Sequence, residues 1–356
     1  ASLVSVADSD GDGGTITIDS GVGPQDRFDN DGTITANFLD VRSNNIDFAG
    51  SSIDAETVQI QPRPGGKPVD QGTNPIILGS ASIGLNQLDI RIDDLDALKS
   101  TTDLTIGKIR GGDEDFASDI TITSALDFTT LGTGTIKTLT LATANGDTTQ
   151  GSTAPITVEN LRVIHRAGQI TLNAANAVDV LAVRAETGAD DEANATLEFT
   201  NSKGFTVGDV LGTEGIDTTG YELDVDSGSI ILRATSGNLV IAKAVNASGI
   251  GGNTRRIGRD ITLTASAGSI TVNDGVQILA VGGEARTSNT AGTTGGDITL
   301  TASGTLVLGV EAEIRSDGSS AGGSSAREDG GAAGAISLTG QSVTLNEAIL
   351  SSVGGD

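Results

Sequence analysis

The sequence has no cysteine, methionine or tryptophan, and only one tyrosine, one histidine and six prolines in 356 residues. Without cysteine there are no disulfides and no thiol chemistry, and a chain that crosses an envelope unfolded is easier to export in that form. No run of about 18 apolar residues occurs, so we expect no membrane span. Because aromatic bulk is scarce, Ile, Leu, Val and Ala are expected to fill the core.

Basic residues are also scarce, with 21 Lys and Arg against 47 Asp and Glu, and the net charge is −26. This charge repels nucleic acid and anionic lipid and attracts cations, so we expect no nucleic-acid partner. For most of the carboxylates the simplest interpretation is that they keep a repetitive β surface soluble and prevent sideways association.

The sequence is rich in one repeat. The heptapeptide Asp-Ile-Thr-Leu-Thr-Ala-Ser occurs unchanged at 260–266 and 297–303. Counting looser copies, the first Ile of the phrase falls at Ile230, Ile261, Ile298 and Ile336. A second apolar doublet follows in each repeat, and a third lies around Val245, Ile278, Ile314 and Ile349.

Within each doublet apolar residues alternate with Thr, Ser or Val, which is the period of a strand with one buried face. Three short strands cannot bury that face alone, whereas stacked repeats form a continuous core. The sequence therefore predicts an all-β fold, a single-stranded parallel β-helix with three short strands per coil and Gly-rich corner loops. The crossover rule makes it right-handed.

We predict one continuous solenoid over residues 1–356, irregular over 1–227 and regular over 228–356, with coils of 31 to 38 residues. The strand-opening phrase recurs at Ile16 and Ile34, which predicts short coils near the N-terminus. Residues 88–98 are compatible with a short helix or with two strands. Length variation is confined to the corner after the third strand, where we expect specific contacts to lie: 249–259, 282–296 and 317–334.

One acidic cluster is a candidate metal site. Asp8, Asp10 and Asp12 alternate before a glycine, and Asp19 stands twelfth from Asp8. The arrangement resembles a calcium loop of the EF-hand type, with Thr15 in place of the expected hydrophobe, Asp in place of the final Glu and a strand in place of the helix. A weaker copy consists of Asp26, Asp29 and Asp31. The two clusters are Ca²⁺ sites at coil corners or ordinary Asp/Gly turns.

Catalytic residues are few. His165 is the only histidine, and we interpret it as a structural or surface residue. The sequence has no Gly-x-Ser-x-Gly elbow and no phosphate-binding glycine loop. We therefore predict no enzyme. The alternative is a polysaccharide-acting β-helix enzyme, for which acidic pairs are abundant but unspecific and aromatic platforms for sugars are nearly lacking.

Outward-facing threonines suggest another alternative. If Ile261 and Leu263 point inward, the residues between and after them point outward and stack from coil to coil. The stacked residues are Thr262, Thr299 and Ser337 in one row, and Thr264, Thr301 and Thr339 in the other. Such rows fit an ice-binding face, although Ile231 and Arg233 interrupt them and Thr is common on exposed strands.

The repeats of 228–356 resemble the haemagglutinin-type β-helix of filamentous haemagglutinin and two-partner-secretion exoproteins. The family's secretion-domain signature is not visible. The resemblance implies an extracellular or cell-surface fibrous protein used in adhesion, with the cell surface or a polysaccharide as partner.

The ends of the chain suggest self-association. Strand-like sequence begins at 3–6 and a coil closes at 349–353, with no capping helix evident at either end. The chain is then either cut from a longer solenoid or docked end to end into a filament. The start, which has no Met and no basic segment, is expected to be processed or excised.

Overall fold

The computed structural model describes residues 3–4, 14–19, 28–62, 75–80, 87–108, 119–185, 196–219, 227–249, 256–284, 291–321 and 329–356. The protein is nearly all-β, with 54% strand and 3% helix, and its long parallel sheet has more than twelve strands. The predicted parallel β-helix is thereby confirmed. The chain forms two compact units, Ala1–Ile164 and His165–Asp356. A single continuous solenoid stays a prediction.

The first unit is built from parallel strands that pack around an apolar interior. Its strands are Leu3–Val4, Thr15–Asp19, Phe28–Asp29, Thr33–Arg42, Ile46–Asp47, Ser52–Gln61, Ile76–Ser80, Leu88–Arg91, Asp103–Gly107, Ile120–Ile122, Leu126–Asp127, Thr138–Asn145, Thr148–Gln150 and Ile156–Ala167. One inward column runs through successive strands as Ile16, Leu39, Val58, Leu104 and Leu139. The last four are almost completely buried.

The short coils predicted near the N-terminus are present, but Ile16 and Ile34 are not paired with each other. Ile16 lies beside Leu39, whereas Ile34 lies between Leu3 and Ile53. The two Thr-Ile-Thr phrases are therefore not stacked on each other. The reason is that Thr33–Arg42 is a single ten-residue strand, so that its two halves pair with different strands.

Residues 88–98 contain both of the elements that the sequence allowed. The strand Leu88–Arg91 leads directly into the helix Ile92–Asp96. Asp94 is fully buried in that helix and accepts hydrogen bonds from the backbone N–H groups of Phe48, at 2.7 Å, and Arg91, at 2.9 Å. A 3₁₀ turn occupies Leu131–Gly134.

In the second unit the described residues form six coils. Coil one is the long bent strand Gln169–Ala185. The later coils have three parallel strands each: Thr196–Asn201, Phe205–Val207 and Ile216–Asp217 in coil two; Ile230–Ala234, Leu239–Ile241 and Val245–Asn246 in coil three; Ile261–Ala265, Ile270–Val272 and Gln277–Leu279 in coil four; Ile298–Ala302, Thr305–Leu308 and Glu313–Arg315 in coil five; Ile336–Thr339, Ser342–Leu345 and Ile349–Ser351 in coil six.

The coils stack residue on residue. The predicted register of the first strand is confirmed: Ile230, Ile261, Ile298 and Ile336 form one column. This column continues to Leu197, so in-register stacking includes coil two, which lies within the region 1–227 that the sequence predicts to be irregular. Burying one such side chain contributes about 1.5 to 3 kcal/mol.

Two details of the second unit differ from the sequence analysis. In the third strand, Leu350 and not Ile349 lies beside Ile314, so the inward position is one residue later than predicted. Coil two also carries a small antiparallel hairpin, formed by Asp209–Val210 and Thr213–Glu214. Leu211 is at its tip with a positive φ of 51° and is 53% exposed.

Candidate functional surfaces

The predicted metal residues are only partly within the described chain. Asp8, Asp10, Asp12 and Asp26 lie outside the described residues. The other three, Asp19, Asp29 and Asp31, are exposed. Asp19 ends the strand Thr15–Asp19 beside Arg42, and Asp29 pairs with Asp47.

The corner that carries Asp29 has its own cation, Arg91. The Arg91 guanidinium contacts the carboxylates of Asp47 and Asp94. Its pKa is raised mainly by the hydrogen bond with Asp94, against the opposing effect of burial, and the negative charges of Asp94, Asp93 and Asp29 raise it further. A metal ion at Asp29 would be repelled by this guanidinium. Among the described residues, no three carboxylate or imidazole groups come together as a metal site.

His165 is fully buried in the strand Ile156–Ala167. The sequence allowed a structural or a surface position for His165, and its burial excludes the surface position. The inward columns of the second unit are closely packed: for example, Ile261, Leu263, Ile298 and Leu300 all have no exposed surface. Binding chemistry in coils three to five must accordingly use the outward faces and the corners.

The outward hydroxyl rows are in the register that the sequence predicted. Thr262 pairs with Thr299, and Thr299 pairs with Ser337. The second row contains Thr264, Thr301 and Thr339. We call these six residues the hydroxyl face. It spans coils four to six, and Ile231 and Arg233 end it in coil three.

The corner insertions form an ordered layer, which the sequence analysis did not predict. We call it the corner layer; its described segments are 247–249 and 256–259, 280–284 and 291–296, 316–321 and 329–334, and 352–356. These residues belong to no β-strand, yet their backbones are joined by many hydrogen bonds between neighbouring coils.

Hydrogen bonds in the corner layer recur every three residues. Gly292 and Gly295 donate to the carbonyls of Asp329 and Ala332, both at 3.0 Å. Gly331 and Gly334 likewise donate to Ser319 and Ser316, and Gly318 and Ala321 donate to Val353 and Asp356. Three residues per turn is the period of polyproline II, whose backbone groups have no internal partners and can bond outward. The layer therefore resembles a bundle of extended helices.

Glycine is required in the corner layer because the backbones approach closely. A Cβ added at Gly331 would lie 1.9 Å from the carbonyl oxygen of Thr293, and one at Gly355 would lie 1.9 Å from that of Ser319. Only the hydrogen of glycine fits such contacts. The arrangement has neither the period of 2 residues of a strand nor the period of 3.6 of an α-helix. Its signal in the sequence is the glycine spacing of three, at Gly292 and Gly295 and at Gly331 and Gly334.

Asp317 joins coils five and six where the layer begins. Its Oδ1 accepts hydrogen bonds from the Ser351 hydroxyl, at 2.6 Å, and from the Val353 N–H, at 2.9 Å. Its Oδ2 is 2.8 Å from Nη2 of Arg315. Burial acts to raise the pKa of Asp317, but the hydrogen bonds from Ser351, Val353 and Arg315 and the charge of Arg315 outweigh it and lower the pKa.

Comparison of the chain with models of known families, with curated proteins and with solved structures gives no match. Within the described part of the chain, no helix has the length and apolar character that a membrane crossing requires.

Proposed function

We propose that this protein is a non-enzymatic structural and adhesive component of the bacterial cell surface or extracellular matrix. The supporting observation is the hydroxyl face, an uncharged array of side chains in register from coil to coil in a protein of net charge −26. Its rows are spaced by about 4.8 Å between coils and about 7 Å along a strand. The resemblance to haemagglutinin-type exoproteins supports the same proposal.

A polysaccharide is the partner that fits this surface best. Threonine hydroxyls both donate and accept hydrogen bonds, as sugar hydroxyls do. Each contact is weak because water competes for it, but a repeating polymer binds several coils at once and gains by multivalency. Adhesion through many weak contacts requires groups at a regular spacing, and the in-register rows of the hydroxyl face have such a spacing.

The test uses beads that carry the purified chain and a surface coated with an insoluble polysaccharide. The double variant Thr264→Lys/Thr301→Lys should release the beads under a flow that the unchanged chain withstands. The matched control is Thr271→Lys/Val307→Lys, which places the same two charges on paired outward positions of the second strand in coils four and five. Equal retention of all three proteins on every polysaccharide tried would refute the proposal.

Calcium is part of the proposal as a stabiliser of the amino-terminal corners. Carboxylate oxygens in a tight Asp/Gly loop are ligands that Ca²⁺ prefers. Titration with Ca²⁺ in a calorimeter should give heat and raise the melting temperature, and Asp10→Ala should remove both effects. A trace without heat for the unchanged chain would exclude calcium while leaving the adhesive proposal in place.

Ice binding is the second candidate, favoured by the same register of threonine rows. Thermal hysteresis of the unchanged chain, abolished by Thr264→Lys/Thr301→Lys, would support it. If the chain gives no hysteresis at millimolar concentration, this candidate is rejected.

A further inference from the structure

The hydroxyl face meets a basic side chain, Arg233, where it ends in coil three. Thr200, Arg233 and Thr264 occupy the same ladder position in coils two, three and four. Each of them stands between two buried residues of its strand, so its side chain points outward. The row of Thr264, Thr301 and Thr339 therefore continues through Arg233 to Thr200.

Arg233 differs from other basic residues of the second unit in having no acidic partner. Lys203, Lys243 and Arg315 each contact a carboxylate. The Arg233 side chain is exposed, and within the described chain it makes no ion pair and no hydrogen bond. An unpaired guanidinium is unexpected in a chain with 47 acidic and 21 basic residues. Its five N–H groups can all donate to a ligand.

The carboxylates of the neighbouring coils on this side are bound by other groups. Glu198, in coil two, accepts a hydrogen bond from the side-chain amide of Asn173 at 2.7 Å. Asp260, in coil four, accepts one from the backbone N–H of Asp297 at 2.8 Å. An anionic group of a ligand would therefore displace no carboxylate from Arg233.

We propose that Thr200, Arg233 and Thr264 form a subsite for an acidic sugar of the polysaccharide that the hydroxyl face binds. This inference rests on the proposed function and names the class of polymer. A guanidinium binds a carboxylate through two parallel N–H···O bonds, which a lysine cannot form. The two threonine hydroxyls lie about 4.8 Å to either side along the row, where they can bond to sugar hydroxyls.

The net charge of the chain limits how acidic this polymer can be. A protein of net charge −26 repels a polymer that carries a carboxylate on every unit. One unpaired arginine at the end of uncharged rows fits a mostly neutral polysaccharide with isolated acidic sugars. The neutral units then lie on the hydroxyl face of coils four to six, and the acidic unit lies on coil three.

The test compares two forms of one polymer, polygalacturonate, coupled to a sensor surface. One form is fully methyl-esterified, and the other has a small fraction of its carboxylates free. We expect the unchanged chain to bind the second form about tenfold more tightly, because a charge-assisted contact is added. Arg233→Gln should remove this preference and leave the affinity for the fully esterified form unchanged. Arg233→Lys should retain only part of the preference.

The matched control is Lys243→Gln, which removes the same charge from the same coil but from a side chain that already contacts Glu214. This variant should keep the preference. Because both side chains are exposed, unchanged melting temperatures verify that the variants fold.

Two results would overturn the inference while the adhesive proposal stands: equal affinity of the unchanged chain for both forms, or a preference that Lys243→Gln lowers as much as Arg233→Gln does. Binding to neither form overturns it as well. Retention of the beads on other polysaccharides, and its loss in Thr264→Lys/Thr301→Lys, tests the proposed function separately.

Discussion

At the scale of single residues, a few polar side chains do not match the apolar columns in which they lie. Thr148 is paired with Ile120, and Ile120 with Ile76, in one buried column of the first unit. The Thr148 side chain has no exposed surface, and its hydroxyl has no hydrogen-bond partner among the described residues. A buried hydroxyl without a partner costs about 1 to 3 kcal/mol.

We therefore predict that Thr148→Val raises the free energy of unfolding by about 1 kcal/mol, because it replaces the hydroxyl by a methyl group of similar shape. Urea denaturation measures this change. Thr149→Val is the control, since the neighbouring hydroxyl is only part-buried and lies 3.4 Å from that of Thr121. A loss of stability in Thr148→Val would show that the hydroxyl has a partner in solution.

Asp317 gives a prediction of pH dependence. Its pKa is lower in the folded chain than the unfolded value of about 3.9. The resulting stability is present above that unfolded value and is lost as pH falls through the lower folded pKa. Asp317→Asn should therefore lower the free energy of unfolding by about 1 to 2 kcal/mol at neutral pH, because the substitution removes the charge that strengthens these hydrogen bonds.

The free energies of unfolding of Asp317→Asn and of the unchanged chain should become more similar as the pH falls from 5 toward 3. Urea denaturation at each pH measures both values. Glu347→Gln, a change of an exposed carboxylate in coil six, is the control. A difference that stays constant with pH would mean that Asp317 acts through packing and not through its charge.

At the scale of elements, the sequence predicted strands well and the corner layer poorly. The columns of Ile230, Ile261 and Ile298 were readable because alternation of Ile, Leu and Thr has the period of a strand. Coil two was less readable, since Phe199 and Asn201 stand where later coils have Leu232 and Ala234. The buried Asn201 amide donates hydrogen bonds to the carbonyls of Val178 and Lys203, so a polar residue fits an inward corner.

The sequence predicts variable loops at the corner layer because the length differences between repeats are confined to that corner. Its order depends on long-range contacts between backbones, and no local propensity describes those contacts. For the same reason, the sequence could not tell which strand would lie beside Ile16. That choice depends on the length of the strand Thr33–Arg42.

For this element we predict that Gly331→Ala lowers the free energy of unfolding by at least about 2 kcal/mol, because the added methyl group overlaps the Thr293 carbonyl. Gly354→Ala is the matched control: its Cβ would have the Gly331 carbonyl oxygen at 3.5 Å as its nearest neighbour. Thermal melting monitored by circular dichroism compares the two variants. Equal melting temperatures would contradict a closely packed corner layer.

At the scale of the whole molecule, the net charge of −26 opposes every contact between copies. Screening of this repulsion by salt should decide how closely two copies approach each other. The Debye length falls from about 10 Å at 0.1 M salt to about 3 Å at 1 M.

We predict that the repulsion between copies weakens when NaCl is raised over this range, as followed by a falling second virial coefficient in light scattering. The same titration with uncharged sucrose in place of NaCl serves as the control and should leave the repulsion in place. A coefficient that does not change with NaCl would mean that the excess carboxylates do not govern the contacts between copies.

Five aspartates between neighbouring coils bond in the same direction along the chain, whereas Asp94 bonds back to the earlier Phe48. Asp119, Asp260, Asp274, Asp297 and Asp317 each accept a hydrogen bond from a backbone N–H that comes 28 to 38 residues later. During synthesis each acceptor consequently exists before its donor. A folded coil thus already carries the carboxylates to which the backbone of the next coil donates hydrogen bonds. These contacts therefore allow the coils to fold in the order in which they are synthesised.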